Sequence, residues 1–279
     1  MREPTIGRLA VPGAELHYEV RGAGPPLLII PTGNGDATPF EPLANLIADR
    51  YTVITYDRRG FSRSPLLSRV ETHRRLADDV ADARRLLERL AGTHAYVFGS
   101  SSGAIIALAL LEHHPRHVRA LVCHEPPLAS VLPDATRWLD FYADLYIVYR
   151  DRGPDEARRM FRSRMGMQES TRPPKAFEQP PARLAEMLDR LRRNQVFWFE
   201  HEIRTYPAYR PDLAKLAEVA DRLILAGGNT SREHFPYRPN VALAERLGLP
   251  MWHLPGGHVG YVTHPVEFAA ALTGRLPSP

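Results

Sequence analysis

The sequence predicts an α/β protein, a mainly parallel sheet flanked by helices and interrupted once by an all-helical insertion. Short apolar runs suited to buried strands alternate with helix-length segments, the rhythm of βαβ units. That rhythm stops between about Leu128 and Lys215 and then resumes. With 279 residues, 44% of them hydrophobic, the chain can bury one sizeable core and needs no second domain beyond the insertion.

Taken in order, AELHYEV alternates apolar and polar residues as a half-exposed strand does, and PPLLII and YTVITYD read as buried strands. Between these two, Phe40 to Arg50 has helical spacing. A helix over about Thr72 to Leu90 leads into the strand AYVF, and the helix after Ser101 leads into the strand VRALVC. The insertion then offers DATRWLDFYADLYIVYR, DEARRMFRSRM and ARLAEMLDRLRRNQVFWFEHEI as amphipathic helices, joined by loops that include STRPPKAFEQPPA. DRLILAGG restarts the alternation, followed by a helix around Val241 to Leu247, the strand MWHL, and a last helix begun at Pro265, a residue tolerated in a first turn. The organisation expected is a core formed by residues 1–127 and 216–279, with residues 128–215 as a lid.

Charge excludes some functions. The chain carries 36 Lys plus Arg against 32 Asp plus Glu, a formal net charge of +4, and its basic residues are scattered rather than gathered into a stripe that follows phosphates. Nucleic acid is not an expected partner. Cys123 is the single cysteine, so no internal disulfide and no multi-cysteine metal site can form. The N-terminal MREPTIGRLAVPGAELHYEV has no apolar signal region, and no apolar run approaches the roughly 18 residues of a membrane span. A cytoplasmic protein, off the membrane and either monomer or homodimer, is the expectation.

The chemistry centres on VFGSSSGAII. Strand, then Gly99-Ser100-Ser101-Ser102-Gly103, then helix is the setting of a nucleophile elbow, whose sharp turn lifts the central serine above the sheet. Ser101 is that centre, and the backbone N–H of Ser102, at the helix start, is placed to bind an oxyanion. The plainer alternative is a Gly/Ser loop that only caps a helix. After PPLLII, the turn PTGNGD allows close backbone approach, so Gly33 or Asn34 would supply a second N–H donor.

The base must follow on a loop at the same sheet edge. LPGGHVGYVTHP puts His258 there, while His253 lies within a strand and His264 begins the last helix. His113, His114 and His117 sit at a helix C-terminus, where imidazoles meet free carbonyls, and lack the further ligands a zinc site needs. The acid normally follows the strand before the histidine strand, but there the residues are Asn229, Thr230 and Ser231, with Glu233 a few positions late. The other candidate is Glu125, at the end of VRALVCHEPP. A buried carboxylate needs a partner, and an imidazole to orient supplies one.

Together these residues resemble the α/β-hydrolase superfamily along nearly the whole chain. GSSSGAIIALALLEHHPRHVRALVCHEPP and LPGGHVGYVTHPVEFA are similar to segments of the fungal zearalenone lactonases, Ser/His/Glu hydrolases with a helical lid. That resemblance implies Glu125 as the acid. PTGNG departs from the superfamily's common HG dipeptide, and the insertion shows no match, so the resemblance carries the chemistry but not the substrate. YDRRGFSRS recurs in the superfamily and reads as a turn supporting the site.

The expectation is therefore a serine hydrolase of a small-molecule ester or lactone, with Ser101, His258 and Glu125 catalytic, and with no metal or organic cofactor. Trp138, Phe141, Tyr142, Tyr146, Phe197, Trp198 and Phe199 would either line an apolar pocket, with Trp198, Tyr142 and Phe197 the candidate substrate contacts, or fill the space between lid and sheet. His201 and Glu202 would reach the pocket or lie on a solvated face. Other chemistry on the same triad, acyl transfer to an acceptor other than water, and a non-catalytic small-molecule receptor are the alternatives.

Overall fold

The computed structural model describes residues 3–92, 94–166 and 172–276. Strands β1 (Thr5–Val11), β2 (Ala14–Arg21), β3 (Pro26–Ile30), β4 (Thr52–Tyr56), β5 (Ala95–Ser100), β6 (Val118–His124), β7 (Leu223–Gly228) and β8 (Met251–Leu254) form one sheet in the order β1-β2-β4-β3-β5-β6-β7-β8. From β4 across to β8 all pairings are parallel, while β2 runs antiparallel to both β1 and β4. The expected strands are all present. β1 is additional, an edge strand with mostly exposed or half-exposed residues, and β2 is more buried than its alternating sequence suggests because β1 and β4 flank it.

Helices cover both faces. α1 (Glu41–Ile47) lies on one face together with two helices from the C-terminal end, α2 (Arg75–Leu90) and α3 (Ser102–His113) lie on the other. Every residue of α3 from Ser102 to Glu112 is buried, as its run of Ala, Ile and Leu demands of a helix apolar all round. Each buried Leu or Ile there contributes about 1.5–3 kcal/mol of transfer free energy.

After β6 the chain leaves the sheet through α4 (Ala135–Arg152), α5 (Pro154–Arg164) and α6 (Pro181–His201), and returns by α7 (Leu213–Glu218) to β7. Between these helices no strand is found among the described residues, as the sequence predicts. α8 (Arg238–Leu247) joins β7 to β8, and after β8 come a short α9 (Gly260–Thr263) and α10 (Pro265–Arg275). Phe40, Leu43 and Ile47 on the α1 side meet Tyr261, Phe268 and Leu272 from α9 and α10 in the second core. No described helix is long and apolar enough to cross a membrane.

The insertion is tied to the sheet by charge. Arg58, after β4, donates from Nη2 to Asp79 Oδ2 of α2 and to Glu202 Oε1 just past α6, both at 2.6 Å, and all three side chains are fully buried. Arg75 joins the cluster through Asp79 (3.2 Å) and Glu202 (3.3 Å), and the Tyr206 hydroxyl donates to Asp79. Burial works against the Arg58 charge, but Asp79 and Glu202 outweigh it and push its pKa well up. Glu202 therefore neither reaches toward a pocket nor lies on a solvated face. His201 is half-buried beside Phe197, its Nδ1 3.1 Å from Thr72 Oγ1.

Candidate active site

β5 ends at Ser100, and Ser101 follows with φ +56° and ψ −126°, a conformation few L-residues adopt. The flanking glycines explain how the turn is possible. A Cβ on Gly99 would run into Gly103 O and the Ala107 side chain, and one on Gly103 would overlap the carbonyl oxygens of Ile30 and Pro31. The Ser101 N–H donates to the His124 carbonyl at 2.9 Å, which fixes the elbow to the end of the neighbouring strand. Of the three serines, Ser100 and Ser102 are buried and Ser101 is half-exposed. Ser102 begins α3, so its N–H is one of the first-turn donors with no acceptor inside the helix.

Glu125 follows β6 directly and shares the strain, with φ +48°. Its carboxylate is fully buried. Oε2 lies 2.7 Å from His258 Nδ1, and Oε1 accepts the Gly228 N–H at 2.7 Å. Burial opposes its ionisation, but the His258 contact, the neighbouring imidazoles and the Gly228 N–H prevail and hold its pKa down to about 2. The carboxylate thus sits against the end of β7, although its backbone directly follows β6. Gly228 lets β7 approach the loop that carries His258: a Cβ there would stand 2.7 Å from the Gly256–Gly257 backbone. Glu233 is exposed and Glu125, not Glu233, is the carboxylate at His258.

A second imidazole backs the first. His124 is fully buried and stacks on His258, with ring centroids 6.3 Å apart, while its Nδ1 lies 3.0 Å from Ser100 Oγ. Burial pushes its pKa down to about 4, so it is neutral near pH 7. Nothing in the sequence pattern singled it out.

The turn after β3 closes the site. Gly35 N–H donates to the Thr32 carbonyl at 2.9 Å, so Gly33 and Asn34 are the turn's central residues. The Asn34 N–H is engaged by Thr32 Oγ1 at 3.3 Å, which separates the two donors the sequence left open and favours Gly33. A Cβ on Gly33 would be 2.6 Å from Trp198 Nε1 and 3.1 Å from Ser102 Oγ, so indole, turn and elbow meet here. The turn is braced by the 57–64 loop: Arg58 Nη1 donates to the Thr32 carbonyl at 3.0 Å, and Asp57 accepts the Ala37 N–H at 2.9 Å.

The candidate substrate contacts divide. Trp198 reaches the Gly33 turn. Phe197, one position earlier on α6, turns instead to Phe61 (ring centroids 4.8 Å apart), Gly60 and the Arg75 guanidinium, none of them a candidate site residue. Tyr142 is buried among Phe141 and Phe235, and burial raises its pKa. Trp138 packs on Phe235 (4.0 Å), which joins the insertion to the segment after β7, and Tyr149 on Phe199 (5.0 Å) packs within the insertion itself. His253 lies in β8 beside the Tyr237 hydroxyl, and His264 stands at the N-cap position of α10 without a side-chain capping bond. No group of three or more His, Cys, Asp or Glu among the described residues is arranged to hold a metal ion.

Comparison with known proteins identifies the family. Residues 25–156 match the model of the α/β-hydrolase fold family. The chain is 39% identical over 276 residues to the uncharacterized hydrolase YraK of Bacillus subtilis, covering 97% of this chain and 95% of that one. It is 30% identical over 265 residues to a zearalenone hydrolase of Bionectria ochroleuca, covering 92% of each. Among solved structures, the enol-lactonase of Burkholderia xenovorans LB400 superposes with a TM-score of 0.70 at 17% identity over 96% of this chain and 98% of that one, a likeness of fold. The chain belongs to the α/β-hydrolase family and is a hydrolase of that fold.

Proposed function

We propose that the protein is a serine hydrolase that cleaves a carboxylic ester or lactone of a small apolar or aromatic molecule through an acyl-enzyme. The observation that carries this reading is the pairing of Glu125 with His258 Nδ1 at 2.7 Å, at the sheet edge where Ser101 is held in a strained elbow. With Nδ1 facing the carboxylate, Nε2 is the nitrogen left to exchange protons. Ser101 Oγ attacks the carbonyl carbon and passes its proton to His258. Glu125 holds the tautomer and stabilises the imidazolium, and the Ser102 and Gly33 N–H groups receive the oxyanion. His258 then protonates the departing alkoxide. Water attacks the acyl-serine, gives its proton to His258, and the acid is released as Ser101 recovers its proton.

No metal or organic cofactor enters these steps. Residues 128–215 act as the lid over the core of residues 1–127 and 216–279. Trp198, against the Gly33 turn, supplies an apolar wall beside the reacting carbonyl and supports an apolar or aromatic substrate. The zearalenone hydrolase at 30% identity favours a lactone among such substrates.

Hydrolysis of p-nitrophenyl acetate and an aromatic lactone by wild type, Ser101→Ala, Glu125→Ala and Glu233→Ala tests the reading, with folding checked by circular dichroism. Rates should fall by about 10³-fold or more in the first two variants and stay near wild type in the third. Activity in Glu125→Ala with loss in Glu233→Ala would overturn the acid assignment. Wild-type inactivity on the whole panel would favour the receptor.

A further inference from the structure

One face of α6 lies along the turn that carries Gly33. Arg190, Asn194 and Trp198 are spaced by four residues and so share that face. Arg190 Nε donates to Asp36 Oδ2 at 2.8 Å, and Trp198 covers Gly33. Asn194, between them and only 3% exposed, uses both ends of its amide. Nδ2 donates to the Asn34 carbonyl and to Ser62 Oγ, both at 2.7 Å, and Oδ1 accepts the Ser62 N–H at 3.0 Å. Ser62 itself is held at φ +46°, with its hydroxyl donating to Asp36 at 2.7 Å.

We infer that Asn194 is a positioning residue for the oxyanion site, fixing the orientation of the Gly33 N–H from the helical insertion. The inference rests on the serine-hydrolase reading. The turn's backbone is held at one end by bonds to the Thr32 carbonyl, from Gly35 and Arg58, and at the other by Asn194 on the Asn34 carbonyl. Removing the amide leaves the Asn34 carbonyl and the Ser62 N–H without these partners and frees the Asn34–Gly35 peptide to rotate; the N–H of that peptide holds the Thr32 carbonyl, which lies in the same peptide plane as the Gly33 N–H. An oxyanion donor works only when it is preset toward the position where charge develops. Asn194 therefore acts in the transition state without touching substrate, and it makes the insertion part of the catalytic apparatus.

The test uses Asn194→Ala and Asn194→Asp beside wild type and Ser101→Ala. The aspartate keeps the volume and the acceptor for Ser62, but places an oxygen where Nδ2 faced the Asn34 carbonyl, so it carries the test if the alanine variant does not fold. For each, kcat and KM on p-nitrophenyl acetate and the inhibition constant of an aryl trifluoromethyl ketone, whose serine adduct bears an oxyanion, are measured below the unfolding temperature. The expected result is a fall in kcat of about 10- to 100-fold, with KM held within about twofold and ketone affinity falling by the factor lost in kcat/KM. A kcat near wild type, a change confined to KM, or unchanged ketone affinity would overturn the proposal. Failure of the hydrolase reading would show differently, as wild-type turnover absent or insensitive to Ser101→Ala, and the oxyanion role would fall with it.

Discussion

The elbow at the sheet edge and the helix laid over it are held by different forces. Around Ser101 the constraints are backbone ones: Gly99 and Gly103 leave no room for a Cβ, and Ser101 and Glu125 both take positive φ at the ends of adjacent strands. Around α6 they are side-chain pairings between distant parts of the chain. Arg58 meets Glu202 from 144 residues away, and Asn194 meets Asn34 from 160. The first set resists change by steric exclusion. The second resists it because a buried charge or amide that loses its partner has no water to replace it.

Breaking the ionic side should have the largest effect on stability. Arg58→Met leaves Asp79 and Glu202 buried together with only Arg75 between them, and should cost about 3–5 kcal/mol in urea unfolding. A loss below about 1 kcal/mol would mean that the cluster does not hold the insertion down.

The strand-end side can be probed by acid. His124 has its pKa lowered by burial from 6.5 to about 4, so the unfolded chain binds its proton more readily than the folded one, and stability is lost as pH falls through that window. The full contribution is about 3 kcal/mol. His114, His117, His201 and His253 carry shifts of the same sign, and Glu125, lowered from 4.5 to about 2, adds its own loss further down. Asp82, raised by burial to about 6, and Glu202, also raised by burial, act in the opposite sense, so the imidazole is read by difference: wild type should lose more unfolding free energy between pH 7 and pH 4 than His124→Asn, and an equal loss would contradict the buried neutral imidazole.

Gly33→Ala sharpens the comparison where the two regions touch. The new methyl would stand 2.6 Å from Trp198 Nε1, so the indole must shift or the turn must move away from Ser102. A rate loss of about tenfold, without the stability loss expected of Arg58→Met, is the predicted outcome. Unchanged kcat/KM would place Trp198 as freely yielding.

This contrast also decides what the sequence could disclose. GSSSG, the GG before His258 and the apolar strand runs are local constraints, and each lies where its pattern places it. Glu125 was accessible because β7 ends in glycine rather than in a carboxylate, leaving the preceding strand end as an alternative. β1 escaped because TIGRLAV has one strand neighbour and shows little apolar alternation. Asn194 carries no signal, and Glu202 reads in sequence as reaching a pocket or solvated rather than as the buried partner of Arg58, since a polar residue in an amphipathic helix discloses its role only when its partner is known. The same limit misplaced Phe197, whose helical neighbour Trp198 takes the position at the turn.

Covalent labelling tests the central claim most directly. A fluorophosphonate incubated with wild type, followed by peptide mapping, should modify one residue, Ser101, at one equivalent per chain, with no label in Ser101→Ala and slow labelling in Glu125→Ala. Label on Ser100 or Ser102, or no stoichiometric label on a folded wild type, would contradict the account.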